Sequence, residues 1–121
     1  MKRDFDLIRN ILIDIEKMPA GTQRDEFTFT GYDVPTVYQH IGLLIEAGLV
    51  KGEYMLECGQ GHAGALVSDL TWNGHDFLDA MKDDNLWSKA KEHVIKPGAS
   101  FTFDLLLEWL KAKAKEKIGL S

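Results

Sequence analysis

Apolar positions recur along this chain with two different periods, and the switches between them mark out its elements. From Asp4 to Met18, Leu7, Ile8, Ile11, Leu12 and Ile15 follow helical spacing. Asp4 is placed to cap this helix, and Pro19 with Gly21 stops it. Ile13 falls at the edge of the apolar stripe. Thr22 to Glu26 is polar and reads as a loop. Phe27-Thr28-Phe29-Thr30 alternates with period two, which predicts a short half-buried strand. After a turn at Gly31 to Asp33, a second helix is predicted from Val34 to Ala47, with Asp33 as its cap and Pro35 tolerated in its first turn. Val37, Ile41, Leu44 and Ile45 share its inward face, with Tyr38 and His40 at the margins. Gly48 is placed for a left-handed helix end, after which Leu49 packs back.

Two strands follow in the pattern, Leu49 to Cys58 and Ala65 to Leu70, joined by the glycine-rich tip Gly59 to Gly64. Thr71 is placed to cap a helix carrying Phe77, Leu78 and Met81, which Asp83-Asp84-Asn85 interrupts. Leu86 to Val94 presents Trp87, Ala90 and Val94 on one side of a shorter helix. Lys96 to Ser100 is the strongest breaker in the chain. The last helix, Thr102 to Ile118, carries Phe103, Leu106, Leu107 and Leu110 on one face, broadened by Leu105 and Trp109. Helix, glycine stop and hairpin come in the order of a winged helix. The expected fold is therefore α+β, mainly helical, a winged helix-turn-helix-like domain with a two-stranded wing and a C-terminal helical extension. Residues 1–95 are expected to form that domain. Residues 96–121 are expected to hold a helix packed on it or used for dimerisation. A positioning helix before Pro35 has only residues 23–32 available, so it is a single turn or absent.

Composition narrows the class. The 121 residues are 45% hydrophobic and 27% charged, as in an ordinary globular domain. Basic residues number 14 against 19 acidic ones, a net charge of −5, which counts against a high-affinity nucleic-acid binder. The imbalance is uneven. Residues 1–110 hold ten basic and eighteen acidic side chains, whereas residues 111–121 hold four lysines and Glu116. One cysteine, Cys58, excludes an internal disulfide and fits a reducing compartment. No apolar run exceeds three residues, as at Ile11–Ile13 and Leu105–Leu107, so neither a signal peptide nor a membrane span is expected and the location is expected to be cytoplasmic.

Two segments carry a family resemblance. Residues 36–50, TVYQHIGLLIEAGLV, resemble the recognition helix and exit of bacterial winged-helix regulators, where "TV..HL.LLEEAGLV" recurs. Residues 70–78, LTWNGHDFL, are similar to the "LT..G..FL" entry into the helix after their wing. With the opening MKRDFDLIR and the later DDNLWSK at 83–89, the chain resembles a family of domains of unknown function found in bacteria, phages and prophages. That resemblance covers residues 1–95 and the remainder more loosely. It implies a winged-helix fold and no established activity.

Candidate chemistry is sparse. With Val37, Ile41 and Leu44 facing inward, Thr36, Gln39, Leu43 and Glu46 point away from the core. Gln39 is of the type that reads adenine through a bidentate pair, and Thr36 or Tyr38 would meet phosphate. Against this, no Lys or Arg occurs between Arg24 and Lys51, nor again until Lys82. The tip offers Gln60 and His62 without fixed positive charge. Lys111, Lys113, Lys115 and Lys117 form the main basic resource, explained structurally by the negative helix end or functionally by anion binding. Cys58 and His62 have too few companions for a zinc site. Gly59-x-Gly61-x-x-Gly64 sits between two antiparallel strands, which removes the mechanism of a dinucleotide loop. No metal, cofactor or catalysis is expected. Two readings remain: a small regulator binding double-stranded DNA as a homodimer through Phe103, Leu107 and Trp109, or a protein-interaction module for a host or phage protein. The first is preferred narrowly, because dimerisation adds two weak half-sites.

Overall fold

A computed structural model describes residues 1–57, 59, 61–95 and 102–119. The chain divides into two compact units, Met1–His75 and Asp76–Ser121.

In the first unit, helix α1 spans Phe5–Glu16, and the Asp4 carboxylate accepts from the Leu7 N–H at 3.1 Å. Its apolar stripe buries Leu7, Ile8, Ile11, Leu12 and Ile15, while Ile13 is half-buried at the edge. Helix α2 spans Val34–Glu46, capped by Asp33, which accepts from the Thr36 N–H at 2.9 Å. It ends in a paired closure: the Gly48 N–H reaches the Ile45 carbonyl at 3.1 Å and the Leu49 N–H reaches Leu44 at 2.9 Å. That pairing requires a left-handed residue between, and Gly48 has φ +77°. Leu49 then turns inward and is 3% exposed. Strands β1, Val50–Met55, and β2, Gly64–Leu70, form an antiparallel hairpin from Val50 opposite Leu70 to Met55 opposite Gly64, with a register shift between Lys51 and Gly52. Helices α1 and α2 pack on each other, and both pack against the hairpin.

Two expectations need correction here. Phe27–Thr30 forms no strand. Burial alternates as the sequence suggests, with Phe27 buried and Thr28 exposed, but the Phe27 N–H is taken by the Tyr38 hydroxyl at 3.1 Å instead of a strand partner. The link to the sheet lies three residues earlier, where Arg24 exchanges both backbone hydrogen bonds with Val67 at 2.9 and 2.8 Å. His40, expected at a helix margin, is only 1% exposed. Among the described residues, 17–33 contain no helix, so no positioning helix precedes α2.

Helix α3, Trp72–Met81, starts in the first unit and continues into the second. Thr71 Oγ1 accepts from the Gly74 N–H at 3.0 Å and donates to the Gly48 carbonyl at 2.6 Å, which ties the start of α3 to the end of α2. In the second unit, α4 spans Asp84–His93 and starts earlier than the apolar pattern alone implies, because Asp83 accepts from the N–H groups of both Asn85 and Leu86. Helix α5 spans Phe103–Lys117 with Thr102 as its cap. Phe77, Leu78, Met81, Trp87, Leu106 and Leu110 are buried, and the rings of Phe77 and Phe103 lie 4.6 Å apart. Leu105 is 53% exposed, so the apolar face of α5 is narrower than the sequence suggests. The breaker at 96–100 lies outside the described residues.

The fold is α+β and mainly helical, with five helices and one two-stranded antiparallel sheet among the described residues, an arrangement consistent with a winged helix. No helix among the described residues is long and apolar enough to cross a membrane.

Candidate interaction surface

The outward side of α2 is the surface that the sequence singled out, and a neighbour from β1 changes its character. A Cβ built on Gly42 would lie 2.6 Å from Cε1 of Tyr54, so the Tyr54 ring rests directly on the helix backbone at that point. Gln39, Leu43 and Glu46 remain beside it. With Ile45, Tyr54 and Leu56 they line a shallow depression of about 390 Å³. Leu56 is 84% exposed and extends the apolar area at the edge of this depression. Glu46 is exposed, and no Lys or Arg occurs within α2. Apolar area with an acidic flank is therefore the chemistry of this face.

The other candidates divide into inward and outward groups. Tyr38, considered for phosphate contact, is 6% exposed, and its hydroxyl is engaged within the fold. It donates to the Asp25 carbonyl at 2.5 Å and accepts from the Phe27 N–H. Thr36 is half-buried at the start of α2, where its N–H serves the Asp33 cap. That hydrogen bonding, from the Thr36 side chain first and its backbone second, holds the Asp33 carboxyl below the usual carboxylate range. His40 Nε2 accepts from the Asp4 N–H at 2.9 Å, which requires a lone pair there; Nδ1 therefore carries the proton and donates to the Thr36 carbonyl at 2.9 Å. Tyr32 donates to the Asp4 carboxylate at 3.1 Å, and burial followed by that bond pushes its phenol up. Asp4, Tyr32 and His40 thus pin α1 to α2 with polar groups satisfied.

At the hairpin tip, His62 folds back so that its ring stacks on Tyr38, with centroids 5.5 Å apart and planes 16° from parallel. The structure thus brings Tyr38 and His62 together, and Gln39 with Tyr54 and Leu56. Gln60 and Cys58 lie outside the described residues, as does the side chain of Lys117. In α5, Lys111 and Lys115 are exposed, whereas Lys113 pairs with Glu116 at 3.4 Å and lies 5.7 Å from the Trp109 ring centre. Phe103, Leu107 and Trp109 are each half-buried, with Trp109 also 6.2 Å from the His93 ring. No three His, Cys, Asp or Glu side chains among the described residues converge on a metal position.

Sequence reasoning missed Tyr54 and Leu56. The available signal was Gly42, a poor helix former inside an otherwise well-formed helix, which marks a close approach by another element.

Comparison with other proteins fits this sequence into a group. An uncharacterized protein of Haemophilus influenzae is 33% identical over 128 aligned positions, covering 98% of this chain and 97% of that protein. No solved structure matches the chain. Residues 2–100 match the family described as hypothetical protein (DUF2513), and the chain belongs to that family.

Proposed function

We propose that the chain is a non-enzymatic protein-interaction module whose contact surface is the outward side of α2 together with Tyr54 and Leu56. The observation that carries this reading is the covering of Gly42 by Tyr54 on a helix without a single Lys or Arg. A helix that reads a duplex brings donors and positive charge to the groove. This one presents Leu43 and Glu46 beside an aromatic ring and an 84% exposed leucine. Exposed apolar area rimmed by charge is the composition of a protein contact. Residues 1–75 carry six basic and eleven acidic side chains, which favours a basic partner.

A second reading, a DNA-binding regulator of bacterial or prophage origin, draws support from the winged-helix-like arrangement and from Gln39, exposed on α2. On that reading α5 supplies both the dimer contact, through Phe103, Leu107 and Trp109, and phosphate contacts through Lys111 and Lys115.

Site-specific photocrosslinking in cells separates the two. A photoreactive residue at Leu43 or Leu56 is expected to give a discrete protein adduct that Glu46→Lys removes, and none at Asn10, exposed on α1. Adducts to DNA alone, or protein adducts that are the same at Asn10, would overturn the reading.

A further inference from the structure

We propose that the recess bounded by Asp25, Glu26, Tyr38, Met55 and His62 receives an arginine side chain of the partner protein. The recess adjoins the α2 surface: Tyr38 lies one helical turn before Gly42, and Ala65 pairs with Tyr54 across the hairpin. It rests on the protein-interaction reading and names the chemistry of one anchor.

The cavity has a volume of about 320 Å³, the lower end of what ligand sites offer and ample for one long side chain. One wall is a fixed planar stack. Tyr38 is held at its hydroxyl by residues 25 and 27 and at its ring edge by Phe27, and His62 lies flat against it. Asp25 and Glu26 line the recess and are exposed, with no hydrogen bond or ion pair to either carboxylate among the described residues. Gly64 and Ala65 leave room beside the Met55 thioether for an aliphatic stem. The nearest cation in sequence does not serve this site. Arg24 pairs with Asp14 and lies over Phe27, 4.1 Å from the ring centre.

Two carboxylates with no partner among the described residues, beside a flat aromatic wall, favour a cation that is itself flat. A guanidinium stacks on the rings and directs N–H groups at carboxylates in its own plane. An ammonium offers the charge without the plane, and a neutral planar group leaves the carboxylates unmatched.

The test uses the full chain with 13C-methyl methionine and the blocked tripeptide acetyl-Ala-Arg-Ala-amide as the probe. The Met55 methyl is expected to shift saturably while that of buried Met81 stays fixed. The lysine tripeptide is expected to bind roughly tenfold more weakly, and the citrulline tripeptide not to bind. Asp25→Asn with Glu26→Gln is expected to abolish the shift while leaving the unfolding midpoint unchanged, since neither carboxylate has a partner to lose. A free arginine titration that alone shifts Met55 would assign the site to a small molecule and overturn the partner assignment. Absence of a saturable shift, an equal response to citrulline or lysine, or a shift retained in the double variant would also overturn it. If the tripeptide fails while crosslinks at Leu43 and Leu56 appear, the recess proposal falls and the interaction reading stands.

Discussion

A methyl group at Gly74 would lie 2.0 Å from the Leu49 carbonyl oxygen and 3.0 Å from its carbon, both backbone atoms that cannot swing away. The Thr71 N–H also bonds to that same carbonyl at 3.0 Å, so the approach of α3 to the end of α2 is fixed from two sides. Gly48 is constrained differently: it has open space around it and a left-handed backbone. Gly48→Ala is expected to cost about 1 kcal/mol through conformation alone. Gly74→Ala combines steric conflict with displacement of the Thr71 cap, and is expected to cost about 2 kcal/mol or more. Urea unfolding of the two variants checks the order; a Gly74→Ala protein as stable as the parent would show that α3 starts elsewhere. The same residue-scale logic explains buried His40. Both ring nitrogens are used, so the imidazole is a satisfied polar link between α1 and α2.

Between α1 and α2 the chain is held by side chains more than by a ladder. Tyr38 fastens residues 25 and 27 through one hydroxyl. Tyr38→Phe is expected to leave α2 intact while speeding hydrogen exchange at the Phe27 amide, whose acceptor is lost. An unchanged exchange rate there would mean that another acceptor holds the segment. The Asp33 cap predicts a pH dependence. Because its carboxyl is held below the usual range, its contribution is present above that range and disappears as pH falls through the lowered value. The stability gap between parent and Asp33→Ala should therefore be constant near neutrality and close in acid, as thermal unfolding across that range would reveal. These elements also show what was legible in the sequence. The spans of α1 and α2, the Gly48 stop and the hairpin follow from local periodicity and capping chemistry, which the sequence carries within a few residues. The strand expected at Phe27–Thr30 does not form, because alternation reports which side chains are buried, not which group takes the backbone N–H. Tyr54 on Gly42 and Leu49 against Gly74 depend on partners brought together only by the fold, so the glycines hinted at close contacts without naming the neighbour.

On the scale of the molecule, charge is the decisive quantity. The six basic and eleven acidic side chains of residues 1–75 set α2 in an acidic surrounding, which repels a phosphate backbone and attracts a basic protein. The chain as a whole is net −5, and the lysines of α5 are its main concentration of positive charge. Titration of a labelled random-sequence duplex at low salt, repeated across a salt series, tests the central claim most directly. Any binding is expected to be weak and shallow in its salt response, to be lost when Lys111, Lys113, Lys115 and Lys117 are replaced by Gln, and to be indifferent to Gln39→Ala. Tight, sequence-selective binding with a steep salt slope, abolished by Gln39→Ala and retained without the four lysines, would make α2 a reader of DNA and contradict that claim.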